Sequence, residues 1–196
     1  MIDTKEVAAF FDRLAPTWDA GMVKNDAVIG TVLDNAGVAA GKSVLDVACG
    51  TGVLIPDYLA RGVASVTAID LSEKMIEIAC KKYAAVPNVT VLCADVMTAP
   101  FGQTFDCIII YNAFPHFADP ERLIALLSGL LKPGGTLTVA HGMSRDALLK
   151  HHRNVPESVS TPLPPVEALA ALFEKTLCVT TILSDARMYQ VAGKRA

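Results

Sequence analysis

The sequence predicts an α/β fold, a mostly parallel β-sheet with helices on both faces. Two observations carry this. From Gly41 onward, short apolar runs alternate with helix-like segments, the rhythm of repeated strand–helix–strand units. The runs are also continuously apolar, as in CIIIY at 107–111, where a sheet with one wet face would alternate.

Along the chain, Asp3 with Glu6 three residues later resembles a capping box, and Val7, Phe10, Phe11 and Leu14 share one helix face. Pro16 is expected to end this helix. A second helix is expected over 22–36, stopped by Gly37. Strands are predicted at 43–48, 65–70, 88–93, 105–111 and 136–141. The intervening helices should begin near Val53, Ser72 and Pro120, the last closing at the LKPGG turn. Residues 95–104 are too few and too rich in Pro and Gly for a helix. A loop with Pro156, Pro162, Pro164 and Pro165 leads to a helix over 166–175. Two strands, 177–183 and 188–193, are close enough for a hairpin, so one must run antiparallel to its neighbour. No repeat or composition break divides the chain. A single domain over 1–196 is expected, with cap helices in 1–40 and the α/β core in 41–196.

Composition narrows the function. Hydrophobic residues make up 52% and charged residues 19%, which suits a well-buried globule rather than a disordered chain. Mean hydropathy is positive, yet the charge-free stretch 107–118 is too short to span a bilayer and is broken by Asn112, Pro115 and His116. The N-terminus carries early acids, unlike a signal peptide, so a cytoplasmic location without a membrane span is expected. A net charge of −3 disfavours nucleic acid as a partner. Five cysteines without a C-x-x-C pair read as reduced thiols rather than a zinc site or disulfide frame.

The segment VLDVACGTGVL, from Val44 to Leu54, reads as a buried strand, a small-residue turn and a helix start. Gly50 and Gly52 let the backbone approach a ligand. Dinucleotide turns need a third small residue three positions on, and Ile55 stands there instead. Asp46 would repel a pyrophosphate but attract a sulfonium with an α-ammonium group. Asp70 and Asp95 close the next two strands. Three acids at three successive strand ends are not a core feature, since unpaired buried carboxylates are costly.

DVACGTG, AIDLSEKM, CADV, FDCIII leading to NAFPHF, and LKPGG form an ordered set that resembles the class I, Rossmann-like S-adenosylmethionine-dependent methyltransferases. The likeness is to the small-molecule group that includes ubiquinone- and menaquinone-type enzymes, and it extends to FDRLAPTWD and the final hairpin. It implies a three-layer αβα sandwich with seven strands in the order 3-2-1-4-5-7-6, strand 7 antiparallel. It also implies S-adenosylmethionine as cofactor. Asp46, Ala48, Cys49, Gly50 and Gly52 would hold the methionine part, and Asp70 the ribose. Leu71 and Met75 would lie against the adenine, whose amino group Asp95 would accept, beside Ala94 and Val96. Asn112 would line the methionine end and Trp18 would close over the cofactor. Ala48 departs from the family, standing where many members have a glycine. Met75, Cys49 and Trp18 also read as ordinary packing residues, and Asp106 as a strand-start contact with solvent.

Methyl transfer from a sulfonium needs alignment and exclusion of water, with a base only for a protonated acceptor. His116 follows the fourth strand and His141 ends the fifth, so both are expected at the ligand edge as candidate bases. His151 and His152 fall on different helix faces; the four histidines match no metal motif, and no metal is expected. NAFPHF lacks the Asn/Asp-Pro-Pro-Tyr pattern of nucleic-acid and protein amide methylation, which favours a small-molecule acceptor. A catalytically silent cofactor-binding regulator, or less readily a dinucleotide-dependent oxidoreductase, is the alternative. A homodimer is left open.

Overall fold

A computed structural model describes all residues, 1–196. Seven strands form one sheet in the order β3-β2-β1-β4-β5-β7-β6. They are β1 (Ser43–Val47), β2 (Ser65–Asp70), β3 (Val89–Cys93), β4 (Phe105–Tyr111), β5 (Leu131–His141), β6 (Cys178–Ser184) and β7 (Tyr189–Lys194). Neighbours β3-β2-β1-β4-β5 are parallel, while β7 is antiparallel to both β5 and β6. The chain order reverses between β1 and β4, where an open sheet leaves a crevice beyond its strand ends.

The pleat divides the core in two. Within β4, Ile108 and Ile110 enter one cluster with Leu123 and Leu127 of α5 (Pro120–Gly129) and Phe173 of α7 (Val166–Phe173). Cys107 and Ile109 face the other way. They meet Leu33 of α2 (Asp26–Asn35), Tyr58 of α3 (Ile55–Ala60) and Ile76 of α4 (Glu73–Tyr83). Burial of both pleat faces explains the unbroken apolar strands and the three-layer sandwich.

The structure departs from the sequence reading in both cap helices and in β5, which begins at Leu131, inside the LKPGG segment expected as a turn. Helix α1 (Thr4–Gly21) runs through Pro16 instead of ending there. The proline removes one amide donor, but α1 is pinned to the body on both sides of it, through buried Ala15 and the carboxylates of Asp12 and Asp19. The capping box is half formed. Asp3 caps the amides of Lys5 and Glu6, while Glu6 bonds Ser158 across the fold instead of returning to Asp3. Helix α2 starts at Asp26, not residue 22, because Asn25 takes the cap and accepts the Val28 amide at 3.2 Å. Residues 95–104 hold no helix, as expected.

Asp106 is neither a ligand residue nor a free solvent contact. At the opposite end of the sheet it accepts the amide and hydroxyl of Ser43 at 2.9 and 2.7 Å and the Lys132 ammonium at 2.7 Å.

Candidate active site

A cavity of about 390 Å³ lies beyond the carboxyl ends of β1, β2, β3 and β4, roofed by α1. Asp46, Ala48, Cys49, Gly50, Asp70, Leu71, Met75, Ala94, Asp95, Val96, Asn112, Trp18 and His116 all line it. Gly52 and His141 do not.

The turn after β1 is built on left-handed backbone. Ala48 and Gly50 both have φ of 56°, and Gly52 has 81°. The two glycines do different work. A Cβ on Gly50 would point into open space, its nearest neighbour Trp18 Nε1 at 3.9 Å. A Cβ on Gly52 would lie 2.5 Å from Tyr83 Cε2 and 2.9 Å from Ile55 Cδ1. Gly52 therefore lets α3 and α4 close on the turn and sits behind the cavity wall. Its amide donates to the Cys49 carbonyl, and its own carbonyl accepts the Tyr83 hydroxyl at 3.1 Å.

The acids stand at the strand ends in distinct states. Asp46 is 2% exposed, and its Oδ2 has no hydrogen-bond partner in the protein. Burial pushes its carboxyl up to about 8, the nearby Tyr58 hydroxyl pulling part of the rise back and the negative charge of Asp70 adding to it. Asp70 is better satisfied: Oδ2 accepts the Gly50 amide and Oδ1 the Ser72 amide, both at 2.8 Å. Burial still raises its pKa, and these backbone donors pull part of the rise back. Asp95 Oδ1 accepts the Met97 amide at 2.9 Å, which closes a tight turn after β3. A carboxyl group and an open glycine in the same cavity lining suit a ligand with a cationic end and a backbone-sized stem. Cys49 is buried, and burial raises its thiol well above the ordinary value, so it stays neutral at pH 7.

The far end of the cavity is aromatic. Trp18 packs edge-on against Phe11 at 5.8 Å, and Phe11 packs edge-on against His116 at 4.9 Å. His116 Nδ1 lies 2.8 Å from the Val159 carbonyl, which can only accept, so Nδ1 carries the hydrogen and Nε2 the lone pair. Burial lowers the pKa of the ring, leaving it neutral and basic at pH 7.

His141 corrects the sequence reading. It is fully buried and lies outside the cavity, facing Tyr189 across β5 and β7 with ring centroids 6.0 Å apart. The strand does end at residue 141, but there it pairs with Tyr189 of β7 and the His141 side chain is enclosed. Neither ring nitrogen has a partner, and burial lowers its pKa to about 3. His151 is exposed, and His152 bonds Ser160 Oγ at 2.8 Å through Nδ1. No group of three or more His, Cys, Asp or Glu is placed to hold a metal ion.

The cavity also takes in residues that sequence reasoning passed over, notably Phe11, Tyr111, Phe117 and Arg122. Phe11 had a readable signal, since it lies seven residues before Trp18 on one face of α1. Tyr111 did not: its hydroxyl occupies the space that a side chain on Gly142 would need, a contact between separate strands' ends.

A seven-stranded sheet in this order, with carboxylates closing successive strands around one crevice, is the class I Rossmann-like architecture. The fold is that of the class I S-adenosylmethionine-dependent methyltransferases. Residues 44–135 match the methyltransferase domain family. The chain is 36% identical over 144 residues to a ubiquinone biosynthesis O-methyltransferase of Coxiella burnetii, a match covering 69% of this chain and 61% of that protein. It thus spans about three-fifths of that relative's length. The fold is shared with a methyltransferase solved in complex with the Haloferax volcanii Trm112 methyltransferase activator, at TM-score 0.78, 20% identity and coverage of 94% and 97% of the two chains. It is also shared with the N-methyltransferase NodS of Bradyrhizobium japonicum WM9 in complex with S-adenosyl-L-homocysteine, at TM-score 0.74, 14% identity and coverage of 96% and 98%.

Proposed function

We propose that the protein binds S-adenosylmethionine in this cavity and methylates a small-molecule acceptor through an ionisable hydroxyl, with His116 as base. The carrying observation is the order of groups along one cavity: Asp95 and Asp70, then Asp46 and Gly50, then Trp18, Phe11 and His116. The name of the Coxiella relative, an O-methyltransferase, supports the choice of a hydroxyl.

When bound, S-adenosylmethionine supplies a methyl group on a sulfonium that needs no further activation. The chain's own residues hold and orient. Asp70 keeps lone pairs free beside those taken by Gly50 and Ser72, enough for two ribose hydroxyls. Asp95 takes the adenine amino group, between Leu71, Met75 and Val96. Asp46, in the cavity lining, offers its carboxylate to the cationic end. Trp18 and Phe11 exclude water, so alignment is not lost to solvent. His116 Nε2 takes the acceptor proton.

Calorimetric titration with S-adenosylmethionine and S-adenosylhomocysteine tests the cofactor. No binding of either at millimolar concentration rejects the reading. Methyl transfer to a panel of catechols and other phenols, followed by mass spectrometry, tests the acceptor. With an acceptor in hand, His116→Ala is expected to lower turnover about 10²-fold while cofactor affinity stays within about threefold. Turnover at the wild-type rate removes His116 from the chemistry.

A further inference from the structure

Helix α1 is held over the cavity by two carboxylates seven residues apart on its inner face. Asp19 Oδ1 accepts the Thr51 hydroxyl at 2.6 Å, while its Oδ2 pairs with Lys82. Asp12 Oδ1 accepts the Ser72 hydroxyl at 2.6 Å and the Lys74 amide at 3.0 Å. Between them lie buried Ala15 and, one step from Asp19, Trp18 beside Gly50. Asp12 thereby caps α4 from a different helix, placing negative charge at its positive end.

Ser72 is the shared element. Its hydroxyl donates to Asp12 and accepts the Met75 amide at 3.2 Å, and its own amide donates to Asp70 Oδ1. Ser72 is 1% exposed with α1 in place, so in the closed state its hydroxyl depends on Asp12 as acceptor. One residue therefore joins the carboxylate assigned to the ribose with the carboxylate that holds the roof.

We propose that Asp12 is a positioning residue which couples closure of α1 to occupancy of Asp70, through Ser72. A ligand on Asp70 fixes the 70–72 turn and so presents the Ser72 hydroxyl and Lys74 amide to Asp12. Closure of α1 in turn fixes Ser72 and orients Asp70. Linkage makes the two effects equal in size. The roof must lift for exchange of a ligand lying beneath it, so breaking the Asp12 contact speeds release. This inference rests on the cofactor reading given above.

Trp18 is the only tryptophan and sits on the roof beside the glycine turn, so its emission reports closure. The probe is S-adenosylhomocysteine, with stopped-flow Trp18 emission and displacement kinetics on wild type, Asp12→Ala and Asp12→Asn. Asparagine keeps an oxygen acceptor for Ser72 and Lys74; alanine keeps none. The expected result is about tenfold faster release in Asp12→Ala, a reduced emission change on binding, and recovery to within about threefold of wild type in Asp12→Asn. Far-ultraviolet circular dichroism verifies folding, and Ser72→Ala, which removes the hydroxyl on Asp12 and keeps the amide on Asp70, carries the test if Asp12→Ala does not fold: about tenfold faster release is expected, and release at the wild-type rate overturns the coupling. Release from Asp12→Ala at the wild-type rate overturns the coupling, as does Asp12→Asn releasing about tenfold faster. Wild type that fails to bind the probe at all rejects instead the cofactor reading beneath it.

Discussion

Ala48 and Asn112 leave the neighbouring strands β1 and β4 with the same left-handed backbone, φ 56° at both, and both then face the cavity. Asparagine tolerates this region, and Asn112 Oδ1 also accepts the Gly142 amide at 2.8 Å. Alanine has no such compensation. Left-handed backbone costs an L-residue roughly 1–2 kcal/mol, and glycine's greater unfolded-state freedom returns roughly half of that. Ala48→Gly is therefore expected to stabilise the protein by about 0.5–1 kcal/mol, about 2 °C in Tm. A lower Tm by scanning calorimetry contradicts the strain.

The two glycines of the turn should separate binding from folding. Gly50→Ala carries the backbone strain argued for Ala48, about 0.5–1 kcal/mol, but its methyl group points to the cavity side with nothing closer than 3.9 Å, so its main harm should fall on cofactor affinity. Gly52→Ala must displace the Tyr83 ring and Ile55, at 2.5 and 2.9 Å, and should lower stability by about 1–3 kcal/mol. Thermal melts and calorimetric Kd values on both variants decide this. A Gly52→Ala protein with wild-type stability and impaired binding alone would reverse the assignment.

Much of this was legible in the sequence. Continuous apolar strands announced a sheet covered on both faces, and Asp46, Asp70 and Asp95 marked one edge of it. What local reasoning missed depends on contacts between distant segments. Pro16 does not end α1, because Asp12 and Asp19 bond residues far along the chain. Gly52 looked like its neighbour Gly50 until Tyr83, from α4, was found against it. His141 lies at a strand end, as predicted, but no local rule shows that Tyr189 of β7 pairs with it there and that its side chain is buried.

His141, buried and outside the cavity, is expected to be a stability liability. Both ring nitrogens are buried without partners, and such groups cost about 1–3 kcal/mol. His141→Leu, similar in volume, is expected to raise stability at pH 7 and leave cofactor affinity unchanged. The pH dependence has a definite sign. The folded pKa, about 3, lies below the ordinary 6.5, so only the unfolded chain takes the proton between them. Stability falls as pH drops below 6.5, by about 2 kcal/mol at pH 5 from this group alone. Denaturant melts at pH 7 and pH 5 should show a smaller loss in His141→Leu. An equal loss in both proteins would place the acid sensitivity elsewhere.

Asp46 makes the opposite prediction, and it bears on function. Its folded carboxyl titrates at about 8, against an ordinary 3.8, so in the free protein it is protonated at pH 7. The raised value favours the protonated fold, and this contribution to stability is lost as pH rises through 8. A cation seated beside this carboxyl favours the carboxylate instead, so binding S-adenosylmethionine should expel a proton. Affinity should then strengthen as pH rises toward 8, by up to about tenfold per unit. Measurements between pH 5.5 and 7 keep the ligand's amino group charged, since such groups titrate near 7.7–8.0. Calorimetry in buffers of different ionisation enthalpy counts the proton directly. Adenosine, which carries no cation, should show no such dependence, and Asp46→Asn should abolish it for S-adenosylmethionine. A Kd for wild type that does not move with pH across this range would mean that Asp46 does not face the cationic end of the cofactor.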